Sequence, residues 1–135
     1  MNENRLHDYI DHIHRAATKA LGFVKGLSKE DFLADLRTQK AVVMNLVIIG
    51  EAAAQVMDRH AEFTGRHSGV PWRSMRGMRN RIAHGYFDIN LEVVWNTVQT
   101  ALPELIDQLA LVVRESADED ADVEENAVKV DRGLS

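Results

Sequence analysis

At 135 residues and 45% hydrophobic side chains, the chain fits one domain able to bury a core. With no cysteine it has neither a disulfide framework nor a thiolate metal site, and its most apolar run, Ala41 to Ile49, is too short to span a bilayer. The formal net charge of −5 is unevenly held: residues 115–135 carry eight acids against two bases, which leaves +1 for residues 1–114.

Met1 to Arg5 leads into an amphipathic segment rather than a signal-peptide apolar core, so the expected location is the cytoplasm. Leu6, Ile10, Ile13, Ala17, Leu21 and Val24 recur at intervals of three and four, the stripe of a first helix that Gly26 ends. Ser28, with Asp31 three residues on, predicts an N-cap, and Leu27 and Phe32 stand where a hydrophobic staple places them. After a bend near Arg37, the residues Val42, Leu46, Ile49, Ala53 and Val56 mark a second stripe running to about Arg59. Glu62 to Val70, with two glycines and a serine, reads as a loop.

Pro71 suits the first turn of a third helix, with Trp72, Met75, Met78 and Ile82 on its apolar side and Gly85 as its stop. Asn90 caps a fourth, whose core positions include Val94, Val98, Leu102, Leu105 and Leu109. Pro103 inside that pattern should kink or split it. No segment has strand periodicity, so residues 1–114 are expected to form an all-α, up-down bundle of four to five helices. Residues 115–135 read as an acidic, disordered tail; a competing reading has this tail act as an electrostatic mimic that covers a basic window between Glu62 and Asp88 when that window's polyanionic partner is absent.

That basic window is the most informative stretch. Between Glu62 and Asp88 there is no carboxylate, while Arg66, Arg73, Arg76, Arg79 and Arg81 all fall inside it. Permanent cations without internal counter-ions suit a polyanion such as RNA, and the imidazole of His84 can move protons near neutral pH. On a helix Arg79 and His84, five residues apart, point about 140° apart. Either the helix end turns the imidazole back or a second subunit completes the site; the sequence favours neither. A plainer reading leaves Arg79 and Arg81 as a solvated face and His84 as a capping residue.

Arg79, His84 and Tyr86 form an Arg-x4-His-x-Tyr motif, with the polar Asn80 after the arginine. Arg37-Thr38-Gln39, Ile48-Ile49-Gly50-Glu51-Ala52, Pro71-Trp72, Gly77-Met78-Arg79-Asn80, Tyr86-Phe87, Val94-Trp95 and Leu102-Pro103-Glu104-Leu105 accompany it. In these residues the chain resembles the HepT-type toxins of the HEPN superfamily over about residues 5–113. The resemblance implies a HEPN-like helical homodimer with an RNase site in the cleft between subunits. It also implies a minimal nucleotidyltransferase antitoxin, as in type VII-like toxin–antitoxin systems, that silences the toxin by adenylylating Tyr86.

The chemistry expected of such a site is transfer of an RNA phosphodiester to its own 2′-hydroxyl, leaving a 2′,3′-cyclic phosphate. His84 is the general base or acid, Arg79 neutralises the phosphorane oxygens, and Asn80 contacts phosphate or orients His84. Arg73, Arg76 and Arg81 are the candidate RNA-binding cations. No cofactor is expected, and no carboxylate cluster in the window demands Mg²⁺, which favours a metal-independent route. The alternative is a catalytically weak RNA- or nucleotide-binding module that serves mainly as a nucleotidyltransferase substrate; a purely structural helical dimer is a third reading. Glu51, among Ile48, Ile49, Ala52 and Ala53, should have a partner such as an arginine of the motif helix, or else be a solvated glutamate. Gly50 should allow close helix packing, and Trp72 and Trp95 should be packing anchors. His7, Asp11 and His14 share a helix face, where a polar border is favoured over a metal constellation.

Overall fold

The computed structural model describes residues 5–85 and 88–134, with side chains described to residue 125. It is all-α, with no strand among the described residues. The first stripe becomes α1, Leu6–Val24, which buries Leu6, Ile10, Ile13, Ala17 and Val24. Gly26, at φ 79°, supplies the left-handed turn after it that a side chain would resist. Next comes α2, Lys29–Ala34, opened by a reciprocal capping box: the Asp31 N–H donates to Ser28 Oγ and the Ser28 N–H to Asp31 Oδ2, each at 3.1 Å.

The expected bend falls at Asp35, two residues before Arg37, because Asp35 caps α3, Leu36–Arg59, by accepting from the Thr38 N–H and hydroxyl. These bonds hold its carboxyl below the usual carboxylate range. A lowered folded-state value means the cap contributes fully above the ordinary carboxylate pKa and is lost as pH falls through the lowered one.

The main helices lie in a row, α7–α1–α3–α5, where α5 is Trp72–His84 and α7 is Leu102–Leu134. Neighbours run antiparallel. The start of α1 meets the end of α3 through the Tyr9–His60 rings, and meets residues 116–124 of α7 through Ser116, Asp120 and Glu124. Although α3 has the length and composition to cross a membrane, 56% of its most apolar window is buried in this bundle. The edge helix α5 takes its substantial packing from α3 alone.

Gly50 makes that packing close. A Cβ built there would stand 2.2 Å from Arg79 Cβ and 2.7 Å from the Met75 carbonyl oxygen, so the two backbones meet where α3 has no side chain. At the other end of α5, Gly85 closes the helix without left-handed backbone, its N–H donating to the Arg81 carbonyl.

Three expectations are corrected. The segment expected as a loop from Glu62 begins with a helical turn, α4, Ala61–Arg66, because Phe63 is driven into the core and is 1% exposed. Pro103 does not split the last pattern into separated helices. Instead α6, Leu91–Asn96, passes through a π-helical turn, Thr97–Ala101, directly into α7. Proline has no N–H and its ring crowds the carbonyl four residues back, here Gln99; one wide turn before it relieves both.

The third concerns the acidic segment from 115, expected to be disordered, which continues α7 as helix to Leu134. Its anchors are polar. Ser116 and Asp120 are buried against α1, and Asp120 Oδ2 accepts from the His7 N–H at 2.8 Å. Arg5, the N-cap residue of α1, makes no side-chain cap, so a carboxylate from the far end of the chain satisfies that orphan donor. Arg5 also pairs with Glu124 at 2.8 Å. A reading based on apolar content misses contacts of this kind.

Filling the Gly50 gap should force α5 away from α3. Gly50→Ala is expected to lower stability by about 1–3 kcal/mol, the usual cost of overpacking, measured by denaturant unfolding. An unchanged midpoint would mean that α5 shifts freely on α3.

Candidate active site

The helical period divides the functional side chains of α5 between two directions. Arg73, Arg76, Asn80 and His84 fall within an arc of about 80°. Arg73, Asn80 and His84 are exposed and Arg76 is half-buried. Among the described residues none of the four has a hydrogen bond or ion pair, so this face offers cations, an amide and an imidazole without internal competition. Arg81 is also exposed and touches only Met78 Sδ, at 4.0 Å.

Arg79 points elsewhere. It leans on α3 beside Gly50, and its Nη1 donates to Glu51 Oε1 at 2.5 Å. Glu51 thus has the arginine partner that its sequence setting suggested. The pair is unequal: the Glu51 side chain is 53% exposed and that of Arg79 is 24%. Arg79 Nε is buried with no acceptor among the described residues, a rare state for a buried donor. The carboxylate therefore fixes one edge of the guanidinium and leaves the other uncommitted.

Because α5 stays helical through His84, the imidazole does not turn back toward Arg79. The two lie about 140° apart around one helix, so one chain does not bring them onto one surface. Tyr86 and Phe87 lie outside the described residues.

The cation Arg66 is separated from the rest of the window. Its Nη2 meets Glu119 Oε2 at 2.6 Å, and next to it His67 Nε2 lies 2.6 Å from Glu115 Oε2. The competing reading of the acidic segment as a cover for the basic window anticipated such contacts, but not these residues or their helical setting. The signal was there: Glu115 and Glu119 stand four apart and share a helix face, but only if the tail is helical. Trp72 is a buried anchor whose indole N–H donates to the His67 carbonyl at 3.0 Å, and Trp95 packs on Phe32 at 5.4 Å between ring centres. On α1, Asp11 pairs with Arg15 and His7 Nδ1 lies 3.3 Å from Ser116 Oγ, so these residues are engaged in local polar contacts.

The ribonuclease HepT-like family model matches residues 13–112. A protein of Caldanaerobacter subterraneus subsp. tengcongensis named "Putative RNase" is 38% identical over 106 residues, covering 78% of this chain and 92% of its own. "Probable ribonuclease HepT" of Thermococcus cleftensis is 38% identical over 98 residues, covering 73% and 86%. A "Putative RNase" of Methanocaldococcus jannaschii is 32% identical over 100 residues, covering 74% and 80%. No solved structure matches the chain.

Proposed function

Because the chain belongs to the HepT-like ribonuclease family, we propose that it is the toxic ribonuclease of a type VII-like toxin–antitoxin pair, acting in the cytoplasm as a homodimer. The observation that carries this reading is the division of α5. Arg79 is seated on α3 by Glu51, while Arg73, Arg76, Asn80 and His84 form an open face free of carboxylates.

The reaction needs two proton transfers and neutralisation of a dianionic phosphorane. His84 takes the proton from the 2′-hydroxyl as its oxygen attacks phosphorus. The P–O5′ bond breaks, and the partner's His84 gives a proton to the leaving 5′-oxygen, so a cyclic phosphate and a free 5′-hydroxyl result. Arg79 donates to the phosphorane oxygens through Nη2, which Glu51 leaves free. Asn80 holds a phosphate oxygen, and Arg73, Arg76 and Arg81 bind flanking phosphates. No step calls for a metal ion.

A second subunit removes the 140° problem, since an arginine from one chain can face a histidine from the other. The surface of α3 supports such a partner. Leu36, Met44 and Ile48 are exposed, and Leu36, Met44 and Glu51 share an arc of about 80°. Beside them runs a groove of about 680 Å³ lined by Leu36, Met44, Val47, Ile82, Ile89 and Leu91. An apolar stripe of this kind that leads straight to Glu51 and Arg79 suits a second copy of the same face.

A minimal nucleotidyltransferase antitoxin would silence the enzyme by adenylylating Tyr86. The tyrosine is two residues from His84, so the added phosphodiester, with about one negative charge, would compete with RNA at high effective concentration and pair with the arginines.

His84→Ala should stay folded and lose about 10²–10⁴ in cleavage rate. Arg79→Lys should also fail, because an ammonium lacks the planar fork. Cleavage of total RNA by the wild type should survive EDTA and leave cyclic phosphate ends. Mixing His84→Ala with Arg79→Ala chains should restore activity in the mixed dimers. A fully active His84→Ala, or EDTA-sensitive cleavage, would overturn the mechanism; absence of recovery with verified subunit exchange would place each site in one chain.

Tyr86→Phe should remain a nuclease and gain no adenylyl mass when incubated with the nucleotidyltransferase and ATP. Mass gain and silencing in that variant would put the modified residue elsewhere.

A further inference from the structure

Of the five arginines in the carboxylate-free window, Arg66 alone, among the described residues, is paired with an acid of α7, Glu119. We propose that Arg66, with His67 beside it, is an outlying phosphate subsite for RNA, which the free protein keeps filled with its own carboxylates, Glu119 and Glu115. The proposal rests on the ribonuclease reading and extends the RNA path beyond α5.

The chain joins the two places through one short connection. The indole N–H of Trp72 donates to the His67 carbonyl, which holds the end of α4 against the first turn of α5. Arg73, the next residue, begins the open face that runs through Arg76 and Asn80 to His84. The RNA path of the proposal would run back along α5 from His84 past Arg73 to Arg66 and His67. On the other side, Gln108 of α7 donates to the Gly69 carbonyl at 2.9 Å, which brings α7 alongside the same turn.

The acids of α7 divide by task. Asp120 is buried and caps α1, and Glu124 pairs with Arg5, so both serve the bundle. Glu115 and Glu119, four residues apart, remain partly exposed and face α4 instead. The Arg66–Glu119 pair is exposed, and such a pair is individually weak and screened by salt, whereas His67, at 14% exposure, is held closer to the core. A phosphate can replace such a carboxylate with little loss, and because the acids are part of the same chain their occupancy does not depend on protein concentration. Two carboxylates spaced one helical turn apart thus stand in for neighbouring phosphates.

The test uses the full chain carrying His84→Ala, which keeps the probe intact, and a labelled single-stranded RNA. Glu115→Gln/Glu119→Gln should bind roughly two- to fivefold more tightly at low salt. Its log–log salt slope should steepen by about 0.7, the value for one further phosphate contact on a single strand. Adding Arg66→Gln should cancel both changes. Asp118→Asn/Asp122→Asn, which removes the same charge from exposed α7 positions with no side-chain partner among the described residues, should give a clearly smaller gain. Equal gains from the two pairs, or a gain that survives Arg66→Gln, would reduce the effect to net charge and overturn the subsite. Unchanged affinity in a parent that does bind RNA would also overturn it while leaving the ribonuclease reading intact. No RNA binding by any form would end both.

Discussion

The contact between α3 and α5 at Gly50 is the constraint on which the rest of the site depends. An edge helix in a row has one neighbour to rest on, and here the closest approach is made where α3 has no side chain. Closeness matters because Arg79 leaves α5 at that same point. With a longer separation its guanidinium would clear the α3 surface and Glu51 would have nothing to hold. The glycine, the glutamate after it and the arginine opposite are one mechanical unit, although 28 residues separate the last two. The open side of α5 is the other half of the arrangement. A helix packed on both flanks could not leave Arg73, Asn80 and His84 to solvent.

Much of this was legible in the sequence, for reasons that follow from helix periodicity. The stripes in α1, α3 and α5 are regular enough to identify the buried faces, and Ser28 and Asn90 cap the helices that their hydrogen-bonding chemistry suggests. The angle between Arg79 and His84 needs only 3.6 residues per turn, and the structure keeps it by remaining helical to His84. The Glu51–Arg79 pair was one of two readings open in the sequence, the other being a solvated glutamate, and the structure shows the pair on a carboxylate that is itself half exposed.

What was hidden depends on partners distant in the chain. Phe63 looks like a stray aromatic in a polar, glycine-bearing segment until the bundle provides a pocket for it. The acidic stretch lacks the apolar residues that announce a helix, and its order comes from Asp120, Ser116 and Glu124 meeting the start of α1. Composition counts residues, but it does not register a donor left over at a helix end more than a hundred positions away. Pro103 was seen as a disruption, and the wide turn that absorbs it is a backbone solution with no side-chain signature.

The bond between the His7 amide and Asp120 also gives the chain a temporal order. Its partners are 113 residues apart, so during synthesis the first helix emerges with its leading amide unmatched and waits until Asp120 has followed. Contacts of such sequence separation form late and slow the approach to the native state. A ribosome-bound chain stopped short of Asp120 would expose a fraying first helix, a handle for proteolysis.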